Sequence, residues 1–184
     1  MSDRYCQRLS GANPSSDTEE KYHDAVVAGI DDASDYMIGD INLFLHDSAS
    51  DPSPHGIRSL TGELNLMIAR QHLRGQGLGQ EVLKLFISYV LENIESVIQE
   101  FKGHSSQECQ LESFQAKIDH RNITSIKLFE RFGFVRSREE PNYFGELDFT
   151  LTVNRAREMI QSQKALLKTR VIDYKESKEH GVNS

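Results

Sequence analysis

The chain has 184 residues with 21 Lys and Arg against 28 Asp and Glu, a formal charge of −7, and 11 of the acidic residues stand with only three basic ones in residues 1–51. An apolar content of 38%, no Trp and a mean hydropathy of −0.52 allow one modest core, with no apolar run near the roughly 18 residues of a membrane span and no apolar stretch in residues 1–10 for a secretory signal. Cys6 and Cys109 supply neither a disulfide framework nor metal-ligand spacing, and the pI is near 5.5, so the expectation is a reducing, cytoplasmic compartment without metal, membrane or nucleic acid as a partner.

Residues 1–36 read as an acidic, disordered leader. Two clusters of turn formers, at 11–17 and 31–35, combine with low hydrophobicity and concentrated charge, leaving only 25–30 fit for a short strand. A strand follows at 37–45, where Asp40 and Asn42 alternate with apolar neighbours. After a loop at 47–54, residues 62–69 form a second strand with Glu63 and Asn65 on one face and Leu64, Leu66 and Ile68 on the other. Gly75, Gly77 and Gly79 then lead into one long helix over 80–101, whose residues Leu83, Phe86, Ile87, Val90, Leu91, Ile94 and Ile98 recur three and four apart. Residues 102–110 read as a loop and 111–118 as a third strand. Asn122 caps a short helix bearing Ile126, Phe129 and Phe132, which Gly133 ends. Two antiparallel strands at 134–138 and 143–153 flank Glu140-Pro141-Asn142, and a polar helix over 155–170 precedes a charged tail over 171–184. This order predicts a mixed α/β sheet, not a regular βαβ alternation.

Arg74-Gly75-Gln76-Gly77-Leu78-Gly79 carries the clearest chemistry. Glycines permit positive φ and close backbone approach, and the following helix offers unpaired N–H groups and a positive dipole end, a combination that suits a phosphate. The competing reading is a tight turn that binds nothing. A P-loop needs Lys and a hydroxyl where this chain has Gln80 and Glu81, and the dinucleotide fingerprint needs a different second glycine spacing. Both are excluded.

The spacing Arg74-x-x-Gly77-x-Gly79 is similar to the R-x-x-G-x-G signature of the GNAT superfamily of acetyl-CoA-dependent N-acetyltransferases. Asn122-x-x-Ser125-Ile126-x-Leu128-Phe129-Glu130-x-Phe132-Gly133-Phe134 resembles the second motif of that superfamily, and residues 38–45, 62–64, 67–69, 114–118 and 147–153 resemble its N-acetyltransferase 9-like branch. The likeness covers residues 37–155 and leaves 156–184 as a terminal helix and charged tail. It implies an α/β (α+β) fold: a mixed, mostly antiparallel sheet splayed at the CoA site, with flanking helices and without the usual N-terminal strand and helices.

What the resemblance implies for the site is specific. Arg74, Gly75, Gln76, Gly77, Leu78 and Gly79 would hold the CoA pyrophosphate, and pantetheine would lie along Met67, Ile68 and Ala69. Asn122 and Ser125 would face the cofactor or acceptor. Glu63 is the candidate base and Asp40 the second, although each also reads as an ordinary strand carboxylate, and His72 reads as an exposed loop residue. Many members of the superfamily carry Tyr, which protonates the departing thiolate, where this chain has Phe129; Ser125 or Tyr143 would have to substitute. The implied activity is direct acetyl transfer from acetyl-CoA to an amine, of a protein such as tubulin. The alternatives are a degenerate member that binds CoA or a protein without efficient turnover, and a scaffold whose acidic leader binds a basic partner.

Overall fold

The computed structural model describes residues 25–48, 56–163 and 173–175. Residues 1–24, 49–55, 164–172 and 176–184, which include parts of the expected leader, the first loop, the last helix and the tail, lie outside the described residues. In chain order the elements are β1 (Ala25–Val27), β2 (Gly39–Asp47), β3 (Arg58–Ile68), a 3-10 turn (Gln71–Leu73), α1 (Leu78–Glu92), α2 (Ile94–Lys102), β4 (Cys109–Asp119), α3 (Ile123–Phe132), β5 (Val135–Arg136), β6 (Glu146–Thr152), α4 (Val153–Gln163) and β7 (Asp173–Lys175). Among the described residues no helix is long and apolar enough to cross a membrane.

The chain divides into two units. In the smaller one, β1 and β7 pair in parallel, with Val26 opposite Tyr174. A strand therefore stands inside the stretch expected to be a charged tail. The Tyr174 hydroxyl donates to Asp32 at 2.6 Å, and the Val27 N–H donates to Asp31 at 2.8 Å. These carboxylates organise the turn expected at 31–35 by bonding nearby partners, as Asp does in turns.

The larger unit is a five-stranded sheet in the order β2-β3-β4-β6-β5. Only β3 and β4 run parallel within it; β2–β3, β4–β6 and β6–β5 are antiparallel. Strand alternation gives the sheet one apolar and one polar face. Leu60, Leu64, Leu111, Phe114, Ala116, Ile118, Leu147, Phe149 and Leu151 are buried, with Leu83, Ile87 and Val90 of α1, Ile126, Phe129 and Phe132 of α3, and Ala156 of α4 completing the core. Phe129 and Phe134 meet edge to face at 5.0 Å, a favoured aromatic geometry. The opposite face carries Asp40, Asn42, Glu63, Asn65, Gln115 and Lys117, with Phe44 and Met67 more than half exposed among them.

The expected single helix over 80–101 is two helices, which is a correction. At Asn93 the backbone takes φ −113° and ψ 21°, and the side-chain amide donates to the Tyr89 carbonyl at 2.8 Å. A short amide side chain that bonds its own backbone competes with the helical ladder. Periodicity survives the break because α2 sets Ile94 and Ile98 against the core.

β3 and β4 begin earlier than expected, at Arg58 and Cys109, because polar side chains there find partners: Ser59 Oγ donates to Glu112 at 2.7 Å. The expected strand at 134–138 shortens to Val135–Arg136, since the Phe134 N–H closes the end of α3 on the Phe129 carbonyl at 3.0 Å. Close strand approach explains one glycine directly. A Cβ on Gly39 would stand 1.9 Å from the Met67 carbonyl oxygen, so β2 meets β3 there only without a side chain.

Candidate functional site

β3 and β4 pair from Arg58↔Cys109 to Glu63↔Gln115, with a register shift between Leu60 and Thr61. Beyond that rung each keeps its other neighbour: β3 stays with β2 to Ile68, and β4 stays with β6 to Asp119. The two strands therefore diverge. The wedge encloses a cavity of about 120 Å³ walled by Leu64, Asn65 and Leu66 on one side and Ala116 to Asp119 on the other, with Phe129 beneath and Asn122 and Ser125 beside it.

The ladder decides which backbone groups face the wedge. Ala69 donates to the Ile38 carbonyl at 2.8 Å and Ser48 donates to Ser59 at 2.9 Å, so odd-numbered residues of β3 turn their backbone toward β2. Leu64, Leu66 and Ile68 turn theirs the other way. Past Glu63 that side has no strand partner among the described residues, so the edge is free to pair with an extended ligand.

At one end of the wedge lies the glycine turn. Gly75 and Gly77 take φ 77° and 89°, a left-handed backbone that only glycine adopts readily. Gly77 is the N-cap of α1 and no side chain caps it. The N–H groups of Gly77, Leu78 and Gly79 find no acceptor among the described residues, since the first turn bonds begin with Gln80 and Glu81 on the Gly77 carbonyl. Gly79 is small for another reason: a Cβ there would meet Leu128 at 3.3 Å and Leu66 at 3.9 Å, so glycine lets α1 pack on α3 and against the wedge wall.

The family model for an acetyltransferase (GNAT) domain matches residues 2–135. The chain belongs to the GNAT acetyltransferase family. It is 34% identical to the α/β-tubulin N-acetyltransferase 9 of Drosophila melanogaster over 55% of this chain and 42% of that one. It is 31% identical to the N-acetyltransferase 9-like protein of Caenorhabditis elegans over 66% of this chain and 52% of that one. The chain thus spans about half the length of the curated relatives it matches. A solved structure of Arabidopsis thaliana NAA60 with acetyl-CoA is 15% identical, with a TM-score of 0.45 over 68% of this chain and 70% of that one.

Within this GNAT fold the residues expected to bind cofactor are distributed unevenly. Asn122 caps α3, its side-chain oxygen accepting the Ser125 N–H at 3.1 Å, and both residues line the cavity. Met67 and Ala69 turn their backbone to β2, while Ile68 faces the open side with its carbonyl taken by Arg74 Nε at 2.7 Å. The cavity wall on β3 is Leu64 to Leu66, one step before the expected 67–69. Arg74 also reaches the Ala69 carbonyl at 3.3 Å, so its guanidinium ties the glycine turn to the end of β3. Gln76 closes the same turn by donating to the His72 carbonyl at 2.6 Å, and His72 itself is exposed.

Glu63 sits at the apex of the wedge, where Lys117 Nζ donates to its Oε2 at 2.7 Å. Lys117 was not singled out in the sequence. Its only local signal is alternation with Ala116 and Ile118, and nothing local tells that β4 places it beside Glu63. The hydrogen bond with Glu63 raises the Lys117 pKa above its ordinary value, more than burial lowers it. Beside the wedge mouth, Asp119 is held well below the usual carboxylate range by its bonds to the Arg121 guanidinium and backbone N–H. Asp40 is exposed on edge strand β2, bonded to the Asn42 amide at 2.7 Å, and does not line the cavity. Of the two hydroxyls considered as proton donors, Ser125 lines the cavity, whereas Tyr143 is 96% exposed and does not.

A wider cavity of about 450 Å³ opens on the polar face, lined by His46, Thr61, Ser113, Gln115 and Thr150. His46 Nδ1 donates to the Asp47 carbonyl at 3.1 Å, because a carbonyl can only accept. The Nε2 of the same ring is buried with no partner among the described residues. Gln115, opposite Glu63, joins this cavity to the apex of the wedge.

Proposed function

We propose that this chain transfers an acetyl group from acetyl-CoA directly to an amine of a protein or peptide. The wedge between β3 and β4, with the uncapped N-terminus of α1 at one end, supports the reading most. The glycine-turn amides suit the pyrophosphate, and the free edge at Leu64 and Leu66 suits the amide groups of pantetheine. A backbone N–H on that edge would steady the oxyanion formed when the amine attacks the thioester carbonyl. The attacking amine must first lose a proton. Glu63 is the candidate acceptor of that proton, with Asp40 a more distant second. The polar face, with its hydroxyl-lined cavity, is the side from which an acceptor reaches Glu63. A protein acceptor, tubulin among the possibilities, is suggested by the printed names of the relatives.

Calorimetric titration with acetyl-CoA tests the cofactor half: binding by the wild type and its loss in Gly77→Glu are expected, and absence of binding by the wild type would sink the reading. Mass spectrometry of αβ-tubulin incubated with the chain and acetyl-CoA tests the acceptor. A second reading, CoA binding without efficient turnover, is favoured by Phe129, which has no proton to give the leaving thiolate, and by the engagement of Glu63 with Lys117. Steady acetylation of any peptide amine above the uncatalysed rate would remove it.

A further inference from the structure

Lys117 places a primary amine beside Glu63, at the rung where β3 and β4 part. The residue is among those lining the cavity, and its Nζ donates to the candidate base at 2.7 Å. An external acceptor would need to present the same arrangement: an ammonium bonded to Glu63 at the apex of the splay. Lys84 of α1 and Lys127 of α3 line neither cavity. On the acetyl-transfer reading, Lys117 therefore stands where an acceptor amine would meet Glu63.

We propose that Lys117 is a modification site of this chain, acetylated on Nζ by the acetyl-CoA bound in its own wedge. The inference rests on the acetyl-transfer reading above and identifies a lysine side chain as an amine the site accepts. In the step, Glu63 takes one proton from the ammonium, the freed lone pair attacks the thioester carbonyl, the C–N bond forms and the C–S bond breaks. The thiolate leaves and is protonated to CoA, so one ammonium and one acetyl-CoA give one neutral amide, one CoA and one released proton. Acetylation ends the ion pair and leaves the Glu63 carboxylate available to an incoming amine. The charged groups facing Lys117 are Glu63 from β3 and Asp148 and Glu146 from β6, all acidic, and they keep the amine protonated at neutral pH. The modification is therefore slow at pH 7 and accelerates as pH rises.

The test is a time course of the full chain with acetyl-CoA alone, digested and read by mass spectrometry at Lys117, Lys84 and Lys127, with calorimetry of acetyl-CoA on the same sample. The expected result is modification of Lys117 about tenfold or more faster than of Lys127, suppressed by excess desulfo-CoA and slowed about tenfold or more in Glu63→Gln. Lys117→Arg, which keeps the charge, should lose the fast adduct. Measurable acetyl-CoA binding with Lys117 modified no faster than Lys127, or at a rate indifferent to desulfo-CoA, overturns this inference and leaves the proposed function standing. No acetyl-CoA binding overturns both.

Discussion

Glu63 faces Gln115 at the last rung of the parallel pairing between β3 and β4, and one residue further the two strands belong to different neighbours. Backbone groups beyond that rung differ in role by parity, which makes the wedge testable by proline. The Leu66 N–H faces the open side and the Met67 N–H faces β2. Leu66→Pro should keep the β2–β3 ladder, lower acetyl-CoA affinity about tenfold and shift the melting temperature little, as proline does on an unpaired edge. Met67→Pro removes a ladder bond and should destabilise the fold more, by upwards of about 1 kcal/mol. Equal loss of stability in the two variants would show that the edge is not open.

Gly77 holds φ 89° at the N-cap of α1. Alanine there must accept a left-handed backbone, at about 1–2 kcal/mol, although a Cβ would meet nothing within 4 Å. Urea denaturation should show that loss, and Gly77→Asn should lose less because Asn tolerates this region better. A neutral Gly77→Ala would mean that the turn adopts another conformation.

Removing the side-chain cap of α3 separates fold from chemistry at Asn122. Asn122→Ala should cost about 1 kcal/mol, and Asn122→Asp, which retains the acceptor oxygen, should recover most of it in thermal melts. If Asn122→Asp is stable yet binds acetyl-CoA worse, the added charge at the cavity is the cause. A loss of stability as large as that of alanine would rule out the cap.

Acid and base titrations should act with opposite signs. Asp119 has a folded pKa depressed by Arg121 from an ordinary value near 3.8, so its stabilising contribution is present above about pH 4 and is lost as pH falls through the lower folded value. Arg121→Ala should lower stability slightly at neutral pH, leave it unchanged in strong acid where Asp119 is protonated, and so flatten the curve below pH 4. Lys117 is raised above 10.5, so its contribution is complete below that pH and is lost as pH climbs through the higher folded value. Lys117→Met should remove that alkaline limb, and an unchanged alkaline curve would show that the pair with Glu63 contributes nothing.

Much of the larger unit was readable locally. The alternation at 37–45 and 62–69 and the three-and-four spacing from Leu83 to Ile98 report which face of each element is apolar. The glycine turn and the Asn122 cap are chemical signals confined to a few neighbouring residues. The break at Asn93 was not readable, because the apolar period continues through it and the competing bond to Tyr89 depends on a side-chain rotamer. The strand at Asp173–Lys175 was hidden for a different reason: its partner lies at Ala25–Val27, so neither short segment signals the pairing by itself.

The candidate site divides the same way. Sequence alone indicated the strand, turn and helix around the site, the polar face bearing Glu63 and the glycine turn at Gly75–Gly79, since each follows from backbone preference and periodicity over a single stretch of chain. Only the tertiary structure decided that β3 and β4 part after Glu63 and Gln115, that the open edge runs from Leu64, that Arg74 turns back onto the end of its strand, and that Lys117 reaches Glu63 from 54 residues away. Those outcomes depend on strand register and on which neighbour each strand keeps. Register is set by packing side chains and pairing backbone groups across long sequence separations, a balance that no local pattern carries.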